Sequence, residues 1–217
     1  MAKQLAFVIL GVTALAGCTS DHHGPYVLKS SQSVFVIPEQ YRVERPERYP
    51  GGVIRGDDAS RSLLVRLPTE GSSSTKSSKG RAIWGSSVIG VLTAAEEMEL
   101  RRQVSARMQE LSRINSGAEE FAGSRAEPDS QTGMWRIYRN DSGNKQWVQL
   151  RKQPPLDDFA DLLGHCMKTE LGPSPRCLVT LMGKDYLFTT HVTVPDLEAL
   201  GELDLLVSAA ADHWRTQ

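Results

Sequence analysis

The chain has 217 residues, of which 24% are charged and only 6% are aromatic. There are 25 lysine and arginine residues against 26 aspartate and glutamate residues, a formal net charge of −1. This balance excludes the broad basic field on which nucleic-acid binding depends, so we expect no nucleic-acid partner. The length suits one ordinary domain, or a small domain with extended segments.

The first 17 residues have the three parts of an export signal. Lys3 supplies the positive charge, residues 5–14 form a short apolar run, and small residues precede Cys18. The apolar run is shorter than the roughly 20 residues that span a bilayer as a helix. Residues 1–17 are therefore predicted to be a signal peptide.

Residues 15–18, Leu-Ala-Gly-Cys, resemble the lipobox of bacterial prolipoproteins. The resemblance implies cleavage before Cys18, a diacylglycerol on its sulfur and usually an acylated amino group, and two or more acyl chains anchor a protein stably. Thr19 stands where aspartate would signal inner-membrane retention in the enteric class. We therefore expect a protein of the outer membrane that faces the periplasm. The alternative is an ordinary signal peptide followed by an incidental cysteine.

Residues 18–58 are irregular in pattern, with prolines at 38, 46 and 50 and mixed charge. This composition argues against a packed core element and favours an extended segment. The segment is either a solvated tether or a chain that orders on a partner, with Tyr41, Tyr49 and the apolar residues 34–37 as contacts. His22 and His23 are adjacent and lack further ligands, so we expect no metal site there.

Residues 59–132 are predicted to contain a strand, a loop and a helix. The strand covers residues 62–67 and ends at Pro68, and a serine-rich loop follows at 70–80. The spacing of Thr93 and Glu96 is that of a capping box, which predicts a helix start. The helix carries an apolar stripe and ends before Gly117. The stripe consists of Leu100, Val104, Met108 and Leu111.

Residues 133–217 are predicted to form a C-terminal domain in the order ββαββα. Residues 134–139 pair with 146–151, and residues 177–182 pair with 186–194, as two hairpins. One helix begins at Leu156 with Leu163 and Cys166 on its apolar face, and another closes the chain around Leu203 and Trp214. Antiparallel hairpins with both helices on one face make a small two-layer α+β domain.

Cys166 and Cys177 are the cysteines that remain once Cys18 is lipidated. An even pair in an oxidising compartment predicts a disulfide, which would join the end of the predicted helix to the next strand. The alternative is a thiol nucleophile activated by His165 or by His191. We expect His191 to be an exposed or half-covered strand residue.

No catalytic or cofactor-binding motif is present, and we expect no cofactor. Adjacent carboxylates, such as Asp157 and Asp158, complement the start of a helix. Trp135 and Trp147 flank the first hairpin, where they either pack in the core or form an exposed pair that meets a partner.

The lipid anchor, the extended segment and the small braced domain together lead us to expect a non-enzymatic accessory subunit of an envelope assembly or secretion machine, with a protein partner. The layout is similar to BamC-type lipoproteins of the outer-membrane assembly complex, through a cysteine-led extended stretch followed by an α+β domain. Alternatives are a lipoprotein of a conjugation or pilus apparatus, including pilotin-like chaperones, and a peptidoglycan-binding or hydrolytic envelope module.

Overall fold

The computed structural model describes residues 25–43, 61–68, 87–130, 132–140, 145–168 and 175–216. The predicted signal peptide, Cys18 and the histidines at 22 and 23 lie outside these ranges, as do Tyr49 and the serine-rich loop. The described residues form two antiparallel sheets and two α-helices. This confirms the α+β class.

Eleven strands are numbered here in chain order. They are β1 (Tyr26–Lys29), β2 (Val34–Ile37), β3 (Ser62–Pro68), β4 (Ser87–Ala94), β5 (Glu127–Pro128), β6 (Trp135–Tyr138), β7 (Gln146–Leu150), β8 (Leu162–Met167), β9 (Arg176–Met182), β10 (Tyr186–Thr193) and β11 (Arg215–Thr216). The helices are α1 (Glu97–Ser116) and α2 (Leu200–Trp214).

The main sheet has eight strands in the order β3-β4-β10-β9-β8-β7-β6-β5. Strands from both sides of residue 133 therefore share one sheet, because β4 pairs with β10 along Tyr186↔Ala94 to Thr190↔Gly90. The two hairpins predicted from the sequence are present as β6–β7 and β9–β10. The small sheet has the order β1-β2-β11 and joins the start of the described chain to its end.

The two helices cover opposite faces of the main sheet, where the sequence analysis expected them on one face. Helix α2 packs with the small sheet against Phe188 and Val192 of β10. The last turns of α1 bury Leu111 and Ile114 against Val148 of β7. Phe188 and Val148 point to opposite sides of the sheet. Val148 pairs with His165, and the same row continues through Leu178 to His191. His191 is three residues after Phe188 on β10, so the two side chains point to opposite faces.

The prediction that no core element precedes residue 58 is wrong for residues 25–43. Strands β1 and β2 place Leu28, Phe35 and Ile37 in the main core, each 0% exposed. The four-residue strands are too short to show a clear alternation of apolar and polar residues. The prolines at 38, 46 and 50 also argued against a core element in this segment. The hairpin is therefore part of the folded body.

The helix predicted from Leu156 is also wrong, because that segment forms a short 3-10 turn at Phe159–Asp161 followed by strand β8. Leu163 and Cys166 are both buried in the main core although they are three residues apart, which is helical spacing. The register gives the reason: Gln149 pairs with Gly164 and Leu150 with Leu162, so Leu163 is the extra residue of a β-bulge.

Helix α1 begins later than the sequence suggested. Its N-cap is Glu96, whose side chain accepts from the N3 amide while the Glu99 carboxylate accepts from the Glu96 amide. Thr93 belongs to β4, where its hydroxyl bonds Ser62 at 2.8 Å. The predicted stop is present, because Gly117 takes the left-handed conformation with φ 64°.

Candidate partner interface

Helix α1 meets the main sheet through polar contacts over its central turns. The Arg107 guanidinium donates to the Thr180 carbonyl oxygen, and the His165 Nε2 lies 3.0 Å from the Glu110 carboxylate. These residues border a cavity of about 150 Å³, lined on the helix by Gln103 and Ala106 as well. The helix is therefore held above β8 and β9 by side-chain bridges, and its apolar packing is confined to its C-terminal end.

The electrostatics of this contact follow from partial burial. Burial lowers the pKa of Arg107, and the neighbouring Glu110 charge opposes that shift. An arginine stays protonated in proteins, so Arg107 and Glu110 remain a charged pair against the sheet. His165 is 52% exposed at its side chain, which lets water screen its bond to Glu110.

Large apolar side chains remain exposed on the α1 side of the sheet. They include Val104 at 37% and Met108 at 48% on the helix, and Met167 at 45% and Leu178 at 40% on the strands. Val104 and Met108 lie about 100° or more around the helix from Gln103 and Ala106, which face the cavity. Leu111 and Asn115 each follow them by seven residues and so share this flank. Leu111 packs with Val148 and Leu156, and the Asn115 side chain bonds the Leu156 backbone, so the flank faces the segment that follows β7.

His191 lies on this same face and is partly covered, which agrees with the expectation for a strand histidine. It is half-buried opposite Leu178 in the register of β9 and β10. Burial lowers the pKa of His191, and the nearby charge of Arg176 lowers it further. A neutral imidazole beside an arginine gives this part of the face a positive local potential at neutral pH.

Cys166 and Cys177 form a disulfide with an S–S distance of 1.99 Å. The bridge links two residues that lie directly opposite each other on β8 and β9, and not a helix end to a strand as expected. His165 points to the other face of β8 and bonds Glu110. The structure therefore does not bring His165 and Cys166 together as a catalytic pair.

Among the aromatic residues proposed as partner contacts, Trp147 is 2% exposed, and its Nε1 donates to the Gln149 Oε1 at 2.9 Å. It is a core residue, so the exposed tryptophan pair is not present. Trp135 lies on the opposite face of the hairpin and packs against the apolar cluster that contains Leu111 and Val148. Tyr41 packs on Trp214 with ring centroids 5.0 Å apart.

The acidic pairs have local structural partners. Asp157 bonds Lys152 at 3.1 Å, and Asp158 accepts from the Ala160 amide as the cap of the 3-10 turn. Within the described ranges no three histidine, cysteine or acidic side chains are grouped so that they could hold a metal ion. No helix in that part of the chain has the length and apolarity to cross a membrane.

Sequence reasoning assigned Val104 and Met108 to a buried stripe and so missed the exposed surface they form. The available signal was the methionine content of α1, because Met98 and Met108 sit on a helix that is otherwise rich in charge. Within the described ranges the chain is an α+β protein whose sheet has one closed core face and one face with exposed apolar side chains such as Leu178 and Met167. No family model, curated protein or solved structure matches the chain.

Proposed function

We propose that this chain is an outer-membrane lipoprotein, anchored through Cys18, that serves as a non-enzymatic accessory subunit of an envelope assembly or secretion machine. The sequence at 15–18 supports the anchor, because a cysteine follows small residues at the end of a signal-like apolar run. The disulfide between Cys166 and Cys177 is in keeping with an oxidising compartment.

The observation that carries the accessory role is the exposed apolar flank of α1. Val104 is 37% and Met108 48% exposed, on a flank of α1 that does not line the cavity over the sheet. On soluble proteins, a contiguous exposed apolar patch marks a site where another macromolecule binds. Methionine side chains are flexible and adapt to a range of partner shapes. A subunit that binds through such a surface needs no reactive group.

The anchor is tested by labelling cells with radioactive palmitate. We expect the wild-type chain to incorporate label and the Cys18→Ser variant to incorporate none. The double variant Cys166→Ser/Cys177→Ser is the matched control, and it should keep the label because it retains Cys18. Label in the Cys18→Ser variant, or none in wild type, would contradict the proposal.

The membrane assignment is tested by density-gradient separation of the two membranes. The wild-type chain should travel with the outer membrane, and Thr19→Asp should shift it to the inner membrane in a host with enteric-type sorting. Wild-type protein in the inner-membrane fraction would overturn the assignment.

The accessory role is tested on native gels after extraction in mild detergent. Wild-type protein should migrate in a large assembly, and Val104→Asp/Met108→Asp should release it at the size of the free subunit. Leu205→Asp is the control, because Leu205 is 72% exposed on α2, away from this surface. Migration of the wild-type chain as a free subunit would contradict the role.

A further inference from the structure

We infer that the outer face of the small sheet rests on the phospholipid surface of the membrane that carries the protein. The inference rests on the proposed function, because it takes the anchor at Cys18 and adds which side of the folded body meets the lipid. The surface is called the valine face here. By strand alternation, the side chains that point away from the core on this sheet are those of Val27, Lys29, Val34, Val36 and Thr216.

The chain between the proposed anchor and the folded body is short. Tyr26, the first residue of β1, follows Cys18 by eight positions, and β1 packs in the main core through Leu28. A chain of that length reaches at most about 29 Å when fully extended. The main sheet is wider, because its eight strands at a spacing of roughly 4.8 Å extend over about 34 Å. Strand β1 is therefore held close to the lipid surface.

The order of the layers decides which side of the body is nearest to the lipid. Phe35 of the small sheet packs in the same cluster as Phe188 of β10, whereas Leu111 of α1 packs in the other cluster, so the main sheet lies between them. Packed layers are about 10 Å apart, which places α1 roughly 20 Å from the small sheet. Only a nearly fully extended connection would let α1 face the lipid. The short connection therefore favours the small sheet and leaves α1 on the side away from the membrane.

The valine face is apolar at its centre. Val27 pairs with Val36 and Lys29 pairs with Val34, so the three valines are neighbours on one side of the sheet. Val27 is 39% exposed, and the other two are partly buried. None of the three belongs to either apolar cluster of the described residues. Held against a membrane, these side chains leave water for the boundary between headgroups and acyl chains, which is favourable.

The charge on the valine face suits lipid phosphate groups. Lys29 is exposed, and it forms no ion pair within the described part of the chain. A lysine beside an apolar surface buries its aliphatic stem and keeps its ammonium group among the headgroups. The valine face itself carries no carboxylate among its five residues. The carboxylates that border the small sheet all have partners inside the chain; they are Glu39, Glu96 and Asp212.

The neighbouring surface of α2 is acidic and does not suit the same contact. Asp204 and Asp212 are exposed on this helix, and lipid phosphate groups repel them. Strand β1 is the edge of the small sheet, and β2 separates it from β11, which follows α2 directly. The body therefore meets the lipid through the β1 side of the sheet, where Val27 and Lys29 lie.

The test is photo-crosslinking in cells with p-benzoylphenylalanine at position 27 of the full chain, followed by mass spectrometry of the crosslinked peptide. We expect an adduct to phospholipid. The same probe at position 108 is the matched control, because Met108 is 48% exposed on the other side of the main sheet. It should give roughly tenfold less lipid adduct, because the short connection keeps that side away from the lipid.

A charge reversal tests the part played by Lys29. Lys29→Glu should lower the yield of lipid adduct at position 27 roughly fivefold, because a basic residue favours contact with an anionic lipid surface and an acidic one opposes it. Arg66→Glu is the control. It changes the net charge by the same amount on an exposed residue of the α1 side, and it should leave the yield unchanged.

Three results would overturn the inference: an adduct at 27 to protein in place of lipid, equal yields of lipid adduct at 27 and 108, and a yield that Lys29→Glu leaves unchanged. Failure of the inference and failure of the proposed function are distinguishable. Palmitate labelling without a lipid adduct at 27 refutes the valine face alone. A lipid adduct at 27 without palmitate labelling refutes the anchor alone, and the absence of both refutes both.

Discussion

The two faces of the main sheet are built differently although they share the same strands. On the α2 face, the hairpin β1–β2, the helix and the sheet close over one core in which Phe35, Phe188 and Leu203 are 0% exposed. On the α1 face, the helix stands on polar bridges and leaves Met108 and Leu178 in contact with water. The closed face maintains the fold, and the α1 side of the sheet carries the exposed apolar residues that we propose to bind a partner. Substitutions on the first should therefore change stability, and substitutions on the second should change binding.

The largest expected effect is at Phe35, where alanine would leave a cavity in the closed core. We expect Phe35→Ala to lower the free energy of unfolding by about 3–5 kcal/mol, measured by urea denaturation. Val27→Ala is the control, because Val27 lies in the same hairpin and is 39% exposed. A loss at Phe35 no greater than that at Val27 would show that the hairpin is not part of the core.

The ion pair of Asp185 and Arg215 should contribute nearly as much. The guanidinium donates twice to the carboxylate, at 2.7 and 2.8 Å, and Ser33 donates to the same group. Asp185 is 3% exposed, so Asp185→Asn removes a buried counter-charge and leaves Arg215 paired with Asp212, whose side chain is 68% exposed. We expect a loss of roughly 3 kcal/mol, and a variant as stable as wild type would contradict this. Leu205→Asn changes an exposed residue and is the control.

The same pair predicts a pH dependence. Burial raises the pKa of Asp185, but the hydrogen bonds from Arg215 and Ser33 and the arginine charge outweigh it, so its pKa lies below the ordinary 3.8. A carboxyl with a lowered folded pKa stabilises the fold above its unfolded pKa, and that stability is lost as the pH falls through the folded value. Wild type should lose thermal stability on acidification in this range, and Asp185→Asn should lose less of it. Equal slopes would refute the assignment.

The disulfide should have a smaller effect. It closes a sequence separation of 11 residues, and by the chain-entropy model its removal costs roughly 2–3 kcal/mol. The double variant Cys166→Ser/Cys177→Ser tests this in urea, with wild type under the same oxidising conditions as reference. If wild type and the double variant unfold at the same urea concentration, the bridge does not stabilise the fold.

The smallest effect is expected on the α1 face. Glu110→Gln removes the charge that His165 contacts, but His165 is 52% exposed at its side chain, so the loss should be under about 1 kcal/mol. Glu97→Gln, in an exposed pair with Arg101, is the matched control. A loss comparable to that of Asp185→Asn would mean that the α1 contact holds the fold together as strongly as the closed face does.

Much of the fold could be predicted from the sequence because the signals are local. Both hairpins follow from alternation around a polar turn. The C-terminal end of α1 follows from Gly117, and the presence of α2 follows from the stripe that includes Leu203 and Val207. Strand β4 was not predicted, because Gly90 interrupts its apolar pattern. A Cβ at Gly90 would lie 2.4 Å from the Phe188 ring, so glycine is required there by a strand almost a hundred residues away.

The candidate surface could not be predicted because exposure is a property of packing. Val104 and Met108 repeat with the spacing of a core stripe, but the side of the helix that faces the sheet is the one with Arg107 and Glu110, so both stay in contact with water. In the same way, the burial of Trp147 depends on which face of the hairpin meets α2.

The sequence by itself determined the signal-like start, the α+β class, the pairing of neighbouring strands and the disulfide partners, because each depends on residues close together in the chain or on a single remaining choice. Only the tertiary structure decided that the helices take opposite faces, that β8 is a strand with a bulge, and that the hairpin β1–β2 enters the core. These features depend on contacts between residues far apart in sequence. The local spacing of residues does not show which distant residues they contact.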